Sequence, residues 1–251
     1  MNTLLNDLCA GAAAFVAGGI NAVAGGGTLV SFPMLVALGV PSVSANITNT
    51  VSLCPGYLGG AYAQRNELAK HAARLRSLFV VAAVGGLTGS ILLVLSPEKL
   101  FRSIVPYLIL AACALLAAQP AIKNVINKRH DGPHEPHKVV LAVSVFACSV
   151  YGGYFGAGLG IMLLAVLGIA LDDPLPSINS LKGALALIIN VLAASFFVFS
   201  GKVYWHFAAV MAVTSLAGGH VGGKLVGKMN PTVMRVVVIA FGLAAAIKFF
   251  I

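Results

Sequence analysis

The chain has 251 residues, of which 59% are hydrophobic and only 9% are charged, and its mean hydropathy is +0.96. A water-soluble domain of this size cannot bury so much apolar surface, so the composition excludes one and predicts a membrane protein. The net charge of +9 is spread over short loops without interleaved aromatic residues, which argues against nucleic-acid binding and is typical of membrane topology.

The first quarter of the chain is almost free of charge, since Asp7 is the one charged residue before residue 65. No basic segment precedes the first apolar run, residues 4–23, so we expect a retained span and not a cleaved signal peptide. Three glycines at residues 25–27 separate it from a second run, residues 29–39. At ~1.5 Å per residue this run covers roughly 17 Å of a ~30 Å hydrocarbon core, so it cannot cross alone as a straight helix.

Three longer runs complete the first half, at residues 45–64, 77–95 and 104–122. The segment 65–76 between the first two is the most basic loop of the chain, which the positive-inside rule places in the cytoplasm. Residues 123–138 are rich in basic residues, proline and histidine, and we interpret them as a cytoplasmic linker. Its histidines lack the cysteines or ordered scaffold of a metal site, which favours a solvated loop.

The second half repeats the plan, with a glycine-broken apolar segment at residues 139–171 and full spans near residues 177–200, 205–221 and 232–250. Lys224, Lys228 and Arg235 mark the loop before the last span as cytoplasmic. We therefore divide the chain into a first transmembrane repeat, residues 1–122, the linker 123–138, and a second repeat, residues 139–251. The predicted fold class is all-α, a polytopic transmembrane bundle in which each repeat has a glycine-broken helix or re-entrant segment and three full spans.

An offset of 133 residues, from Ala24 to Ala157, superimposes the two broken segments. The same offset aligns further pairs, namely Gly19 with Gly152, Pro41 with Pro174, Ser44 with Ser177 and Asn46 with Asn179. An odd number of crossings per unit turns the next copy over, so the two halves are predicted to face opposite ways. Inverted repeats with glycine-interrupted short segments at matching positions indicate a transporter site near the membrane midplane.

The glycine breaks suit an anion. A helix that begins inside the membrane presents three or four unpaired N–H groups and roughly half a positive charge at its N-terminus. Glycine accepts positive φ and lets a ligand approach the backbone, and Thr28 adds a hydroxyl donor. The alternative for the glycines is close helix packing, which is our interpretation of the pairs Gly56/Gly60, Gly85/Gly89, Gly218/Gly222 and Gly223/Gly227.

Polar side chains at the start of the following span can add donors. Asn46 and Asn49 share one helical face, as do Asn179 and Lys182. The alternative is that they cap helices, with Lys182 snorkelling or paired with Asp172 or Asp173. The predicted substrate-binding residues are Gly25, Gly26, Gly27, Thr28, Asn46, Asn49, Gly158, Gly160, Asn179 and Lys182.

Other chemistry finds little support in the sequence. Four cysteines, each inside an apolar run, have neither metal-ligand nor disulfide spacing, and no cofactor is predicted. The GGHVGGK stretch at residues 218–224 resembles a phosphate-binding loop, but Leu225 stands at its Ser/Thr position. His206 and His220 lie nearest membrane segments, so either can carry a proton if transport is coupled to one; the alternative is an interfacial or core histidine.

The paired motifs resemble the TauE/SafE sulfite exporter family of anion permeases over essentially the whole chain. The likeness lies in GGGTL at residues 25–29 with Pro33, Leu35 and Gly39, in ANITN at 45–49, GAGLG at 156–160 and NSLKG at 179–183, and in the glycines of 216–225. It implies secondary transport of sulfite, sulfonates or related anions across a bacterial inner membrane. Val166 in place of Pro33, and Lys182 in place of Asn49, depart from the first copy.

The leading prediction is therefore a multi-pass carrier, not an enzyme, that moves a small sulfur-containing anion by alternating access around the two breaks. Its expected partners are the anion, a coupling proton or cation, the lipid bilayer and further copies of the chain in an oligomer. An anion channel is the second hypothesis, because the same helix ends can line a pore. An intramembrane hydrolase and a passive structural subunit are the others; the hydrolase lacks a Gly-x-Ser-x-Gly motif.

Overall fold

The computed structural model describes residues 3–23, 26–63, 65–128, 137–171, 173–225 and 231–250, and in these residues the chain forms helices joined by turns and short loops, without strands. The all-α fold class is therefore confirmed. The helices are α1 (Thr3–Val23), α2 (Thr28–Ala37), α3 (Ser42–Ala63), α4 (Arg65–Ala69), α5 (Ala72–Leu95), α6 (Glu98–Lys128), α7 (Lys138–Tyr154), α8 (Leu159–Ala170), α9 (Leu175–Val198), α10 (Trp205–Leu225) and α11 (Pro231–Phe250).

Several helices have the length and composition of membrane spans. Within the described residues, four are both long and apolar enough to cross a bilayer: α1, α5, α6 and α9. The three helices α3, α10 and α11, also predicted to span, have 22, 21 and 20 residues, which is enough to cross a ~30 Å core at ~1.5 Å per residue. Many of their apolar side chains face outward, as expected for contact with lipid.

Two boundaries differ from those predicted. The basic loop at residues 65–76 contains the short helix α4, and α5 already begins at Ala72. Helix α6 continues to Lys128, six residues into the predicted linker, because the linker's first residues carry no proline or glycine to stop it. Most of the proline- and histidine-rich part of the linker lies outside the described residues.

The broken helices run from the interior to opposite ends of the bundle. Helices α2 and α8 have 10 and 12 residues, or roughly 15 and 18 Å. The chain after α2 meets the start of α6, where the carboxylate of Glu98 accepts hydrogen bonds from the N–H groups of Ser42 and Val43. The chain after α8 instead meets the start of α5, where Asp173 pairs with Arg74. Because α5 separates these two places, α2 and α8 point to opposite ends of it.

The packing of helices is repeated between the halves. Helix α1 packs on α10 in the way that α7 packs on α5, and α3 contacts α10 as α9 contacts α5. The short helices show the same correspondence, since α2 contacts α11 and α8 contacts α6. The equivalent helices α3 and α9 pack on each other, as do α6 and α11. The helices of each half are therefore interleaved with those of the other half, and neither half forms a separate bundle.

Glycine supports two of these crossings. A Cβ at Gly89 would lie 2.0 Å from the carbonyl oxygen of Val150, and one at Gly218 would lie 1.9 Å from that of Phe15. The packing prediction is thus confirmed for Gly85/Gly89 and Gly218/Gly222, whose helices touch through their backbones. It is wrong for Gly56, which has no neighbour within 4 Å of an added Cβ. The packing around Gly60, Gly223 and Gly227 lies outside the described part of the structure.

The short helix α4 is attached to α9 through the carboxylate of Glu67, whose hydrogen bonds depend on pH. The Lys70 ammonium and the Ser177 hydroxyl both donate to the Glu67 carboxylate, at 2.7 Å each. These hydrogen bonds, Lys70 first, hold the pKa of Glu67 below its ordinary value. Because the folded pKa is lowered, the contribution to stability is present above the unfolded pKa and is lost as pH falls through the folded one.

We therefore expect Glu67→Gln to lower the melting temperature slightly at neutral pH, and the difference from wild type to shrink in acid below pH ~4. Since this carboxylate is partly exposed to solvent, the effect will be small and will weaken further in high salt. Differential scanning fluorimetry between pH 7 and 3 measures it. A difference that stays constant across this range would show that the Glu67 charge is not coupled to folding.

Candidate functional site

The first break lies between α1 and α2. Gly26 has a positive φ of 99°, and Gly27 is the residue before the first turn of α2. The Gly27 N–H donates to the side-chain oxygen of Asn21 at 2.8 Å, and Thr28 is buried. Gly25, predicted as a site residue, lies outside the described residues.

Gly27 also allows a close backbone approach. A Cβ at this position would lie 2.2 Å from the carbonyl oxygen of Ala17. The alternative interpretation of the glycines as packing residues therefore holds at Gly27. It does not hold at Gly26, whose nearest neighbour beyond an added Cβ, the Leu116 side chain, is 3.7 Å away and whose need for glycine comes from its backbone conformation.

The second break lies between α7 and α8. Gly158 precedes the first turn of α8 with a φ of 77°, a left-handed conformation that favours glycine. The Tyr151 hydroxyl donates to the carbonyl oxygen of Ala157 at 2.6 Å, which fixes the chain in the break. No such tyrosine is present in the first copy, where Gly18 stands at the corresponding position.

Both breaks lie against one turn of α6. An added Cβ at Gly26 would be 3.7 Å from the Leu116 side chain, and one at Gly158 would be 3.5 Å from Ala112. These two α6 residues are four apart, so they lie on the same face of the helix. The structure thus brings Gly26 and Gly158 close to each other inside the bundle. Side chains of the protein, and not lipid, lie next to both glycines.

The backbone donors at the breaks are fewer than predicted. In the first turn of α2, the N–H groups of Leu29 and Val30 bond to the carbonyls of Gly26 and Gly27 at 3.0 and 2.9 Å. In α8, Ile161 and Met162 bond to the Gly158 carbonyl in the same way. Short turn bonds therefore satisfy most of the predicted free amides, because the chain before each helix curls back onto it. Among the described residues, the N–H groups of Thr28 and Gly160 have no partner.

Lys182 brings a positive charge to the second break. Its Cδ lies 4.0 Å from the place a Cβ would occupy on Gly160, so the side chain runs over the first turn of α8. The ammonium donates to the side-chain oxygen of Asn179 at 3.1 Å. Asp173 is paired with Arg74, so the interpretation of Lys182 as its partner is wrong; Asp172 lies outside the described residues. Gly160, Asn179 and Lys182 form one cluster.

The first-half asparagines lie beside the second break. The Asn46 amide nitrogen donates to the carbonyl oxygen of Tyr154, the last residue of α7, at 2.8 Å. Asn49 is one turn further along α3 and is also buried. Thr48 points elsewhere, because its hydroxyl accepts from the N–H of Tyr204. Asn46 therefore contacts the other half of the chain. The pair Asn46 and Asn49 and the pair Asn179 and Lys182 both lie near the second break.

An aromatic layer separates this region from one end of the bundle. The rings of Phe32, Phe101 and Phe155 are fully buried, and Phe155 directly follows α7. Phe32 packs edge-on against Phe155 at 5.5 Å between centroids and stacks on Phe249 at 6.0 Å. Phe249 lines a cavity of ≈ 350 Å³ that also contains Glu98, Arg102 and Lys248. None of the predicted site residues lines that cavity.

Other candidate groups lie elsewhere. His206 is exposed at the start of α10, 3.9 Å from Asp7, and His220 is exposed near its end. Within the described residues the cysteines are free thiols, and no group of three metal-ligating side chains is found.

Sequence reasoning missed three contributors to the site. Asn21 was hidden as one polar residue in an apolar run, although that isolation was itself a signal. Tyr151 gave no signal, because its hydroxyl bonds to a backbone carbonyl. The third is the α6 turn from Ala112 to Leu116, whose small and aliphatic residues look like any lipid-facing segment.

Comparison with known proteins identifies the chain. The family model for the sulfite exporter TauE/SafE matches residues 10–249. The chain is similar to a probable membrane transporter protein of Haemophilus influenzae, at 27% identity over 92% of this chain and 90% of that one. It is also similar to the probable membrane transporter proteins ORF9 of a Sinorhizobium species, at 25% identity over 94% and 89% of the two chains, and YfcA of Escherichia coli K12, at 23% over 90% and 82%.

No solved structure matches the chain. The names of the relatives are those of transporters and not of enzymes, and the apolar helices are those of a multi-pass membrane protein. The match covers nearly the whole length of the chain, including both glycine breaks and the cluster of Gly160, Asn179 and Lys182. This chain is a membrane transporter that belongs to the sulfite exporter TauE/SafE family.

Proposed function

We propose that this protein is a secondary transporter of small sulfur-containing anions, such as sulfite or sulfonates, in a bacterial inner membrane. The observation that carries the proposal is the position of Lys182, whose side chain lies over the N-terminal turn of α8. It lies next to the N–H of Gly160, for which the described residues provide no hydrogen-bond partner. A fixed ammonium and a helix N-terminus both attract negative charge, and together they make a site for one compact anion.

The substrate class follows from the chemistry of the site and from the family name. Its polar groups within the described residues are an ammonium, carboxamides, a hydroxyl and backbone N–H groups, with no carboxylate among them. Such donors match the oxygen atoms of a sulfite or sulfonate group. The family model is named for sulfite export, which supports a sulfur oxyanion over a carboxylate substrate.

Two inverted repeats provide the mechanism. Helices α2 and α8 begin near the same turn of α6 and run to opposite ends of α5. Most of the contacts that the helices of one half make, such as α1 on α10, have a counterpart made by the other half, such as α7 on α5. An arrangement of this kind allows the site to be exposed first to one side of the membrane and then to the other, as one set of helices rocks against the next. The aromatic layer of Phe32, Phe101, Phe155 and Phe249 lies between the second break and the start of α6, and in this proposal it closes the site toward that end of the bundle.

Reconstitution into liposomes tests the function. Purified protein should exchange labelled sulfite, thiosulfate or a sulfonate across the membrane, with saturation at rising external concentration. Carboxylates of similar size should compete weakly. Failure to exchange any member of a broad anion panel would overturn the proposal, whereas single-channel conductance or flux far above carrier turnover would indicate a pore in place of a carrier.

A further inference from the structure

Two buried oxygen atoms on α3 have no hydrogen-bond donor. The side-chain oxygens of Asn46 and Asn49 are both enclosed, and each residue is 1% exposed. The orientation of the Asn46 amide is fixed, because its nitrogen donates to the Tyr154 carbonyl at 2.8 Å and the oxygen must therefore point the other way. Asn46 and Asn49 lie three residues apart, so their side chains share one face of the helix.

Buried oxygen atoms without a hydrogen-bond donor are suited to bind a positively polarised ligand. A carboxamide oxygen taken out of water without a donor loses its hydration and gains nothing in return. Two such atoms on one helical face, in a chain whose other buried polar side chains are largely bonded, mark a place that something else occupies. The described residues supply no donor to either oxygen.

The second half of the chain shows what kind of group fits. The offset of 133 residues aligns Asn46 with Asn179 and Asn49 with Lys182. In the second half the Lys182 ammonium donates to the Asn179 oxygen at 3.1 Å. The oxygen that corresponds to that of Asn46 is thus satisfied by a cation tethered one turn away. In the first half the tether is absent, because asparagine stands where the second half has lysine.

The surroundings of Asn46 favour a cation as well. Asn46 touches Tyr154, where α7 ends, and the carbonyl groups of the last turn give the end of a helix about half a negative charge. The Tyr151 carbonyl already accepts from Phe155 and Gly156, so the chain turns away from the helix axis at this point. Helix C-terminal ends within a membrane are typical positions for coupling ions in transporters.

We propose that Asn46 and Asn49, at the C-terminal end of α7, bind a sodium ion that takes the place held by the Lys182 ammonium in the second half. The ligands are neutral oxygens, which suit a hard cation. The carboxylates that the structure describes, those of Asp7, Glu67, Glu98 and Asp173, contact other residues, which favours a single positive charge over a divalent ion. The inference deepens the proposed transport function by naming the coupling ion, and it predicts anion movement together with Na⁺.

Thermal stability tests the ion without requiring transport. Purified protein in detergent is titrated with NaCl against choline chloride at constant ionic strength. A saturable rise in melting temperature with Na⁺ alone is expected, because a ligand bound by the folded form stabilises it. An identical melting curve in the two salts would overturn the inference and leave water as the occupant of the site.

Three variants sharpen the test. Asn49→Leu keeps the size of the side chain and removes the oxygen, so the Na⁺ concentration for half the effect should rise at least tenfold. Asn49→Lys supplies the tethered ammonium, so its melting temperature should no longer respond to Na⁺. Asn190→Leu is the matched control, since Asn190 is a buried asparagine on α9 that bonds to the Ala186 carbonyl, and it should keep the full response.

The outcomes separate the ion from the anion. An unchanged Na⁺ response in Asn49→Leu would contradict the site even if the wild-type protein binds Na⁺. If Asn49→Lys does not fold, the leucine variant and the wild-type titration decide alone. A clear Na⁺ response in a protein that moves no anion of the panel would refute the proposed substrate class and retain the cation site, whereas anion exchange that is indifferent to Na⁺, with no thermal response, would refute the cation site only.

Discussion

Replacing Lys182 by methionine is expected to weaken binding of the transported anion by about ten- to a hundredfold. A hydrogen bond to a charged group contributes about 1.5–3 kcal/mol, and each 1.4 kcal/mol is a factor of about ten in affinity. Methionine keeps an unbranched chain over Gly160 and loses the ammonium, so the change removes charge more than packing. The dissociation constant from ligand-induced thermal shifts, and the half-saturation concentration of uptake in liposomes, both measure the effect.

Lys202→Met provides the matched control for Lys182. The Lys202 ammonium also lies at a helix end, where it donates to the Val94 carbonyl at 2.8 Å, close to the end of α5 and away from both breaks. We expect this variant to bind the anion as the wild type does. If Lys182→Met lowers the melting temperature and leaves the anion affinity unchanged, Lys182 is a structural residue that satisfies Asn179, and the anion site must lie elsewhere.

The elements of the fold could be predicted because they depend on local features of the sequence. Uncharged runs of about twenty residues specify spans, and glycine clusters at matching offsets specify the two breaks. The predicted end of this span, residue 122, is too early for α6, because the change from apolar to basic residues indicates the membrane surface and not the end of the helix. A helix can continue past the membrane surface when nothing in its sequence stops it, as α6 does to Lys128.

The sequence could indicate which polar residues lie near the second break, but not the hydrogen bonds that they form. The offset alone singled out Asn46, Asn179 and Lys182, and the structure places all three near the second break. It could not reveal that Asn46 reaches the end of a helix 108 residues away, because that contact depends on how the halves interleave. The sequence also predicts more free backbone N–H groups than the structure has, because local turn bonds and the Asn21 side chain accept hydrogen bonds from several of them.

The polarity of the predicted site changes once these bonds are known. The sequence predicts an anion between two helix N-termini, with backbone donors on both sides. In the described part of the structure, the positive charge at the breaks is the Lys182 ammonium of the second half, and the first half has the Asn49 oxygen at the equivalent position. In the transport proposed above, the asparagine pair of the first half binds the cation and the lysine of the second half binds the anion, so that a change of conformation would be linked to both ligands.

Replacing Gly218 by valine is expected to prevent recovery of folded protein. The Cβ alone would lie 1.9 Å from the Phe15 carbonyl oxygen, and because that atom belongs to the backbone of α1, the two helices must separate. Gly89→Val should do the same at the crossing of α5 and α7, where the Cβ would lie 2.0 Å from the Val150 carbonyl. Membrane helices associate through close contact of small residues, so forcing them apart removes several kcal/mol of packing. Size-exclusion profiles and melting temperatures in detergent report the outcome.

Gly56→Val is the control that separates packing from helix propensity. Gly56 is also inside a helix, yet an added Cβ meets nothing within 4 Å, so the same substitution there tests only the intrinsic preference of the residue. A folded Gly56→Val protein next to aggregated Gly218→Val and Gly89→Val proteins would attribute the loss to the two crossings. If one crossing tolerates valine and the other does not, the halves are not mechanically equivalent, and the rocking of one set of helices against the other would have to use the tolerant crossing as its moving contact.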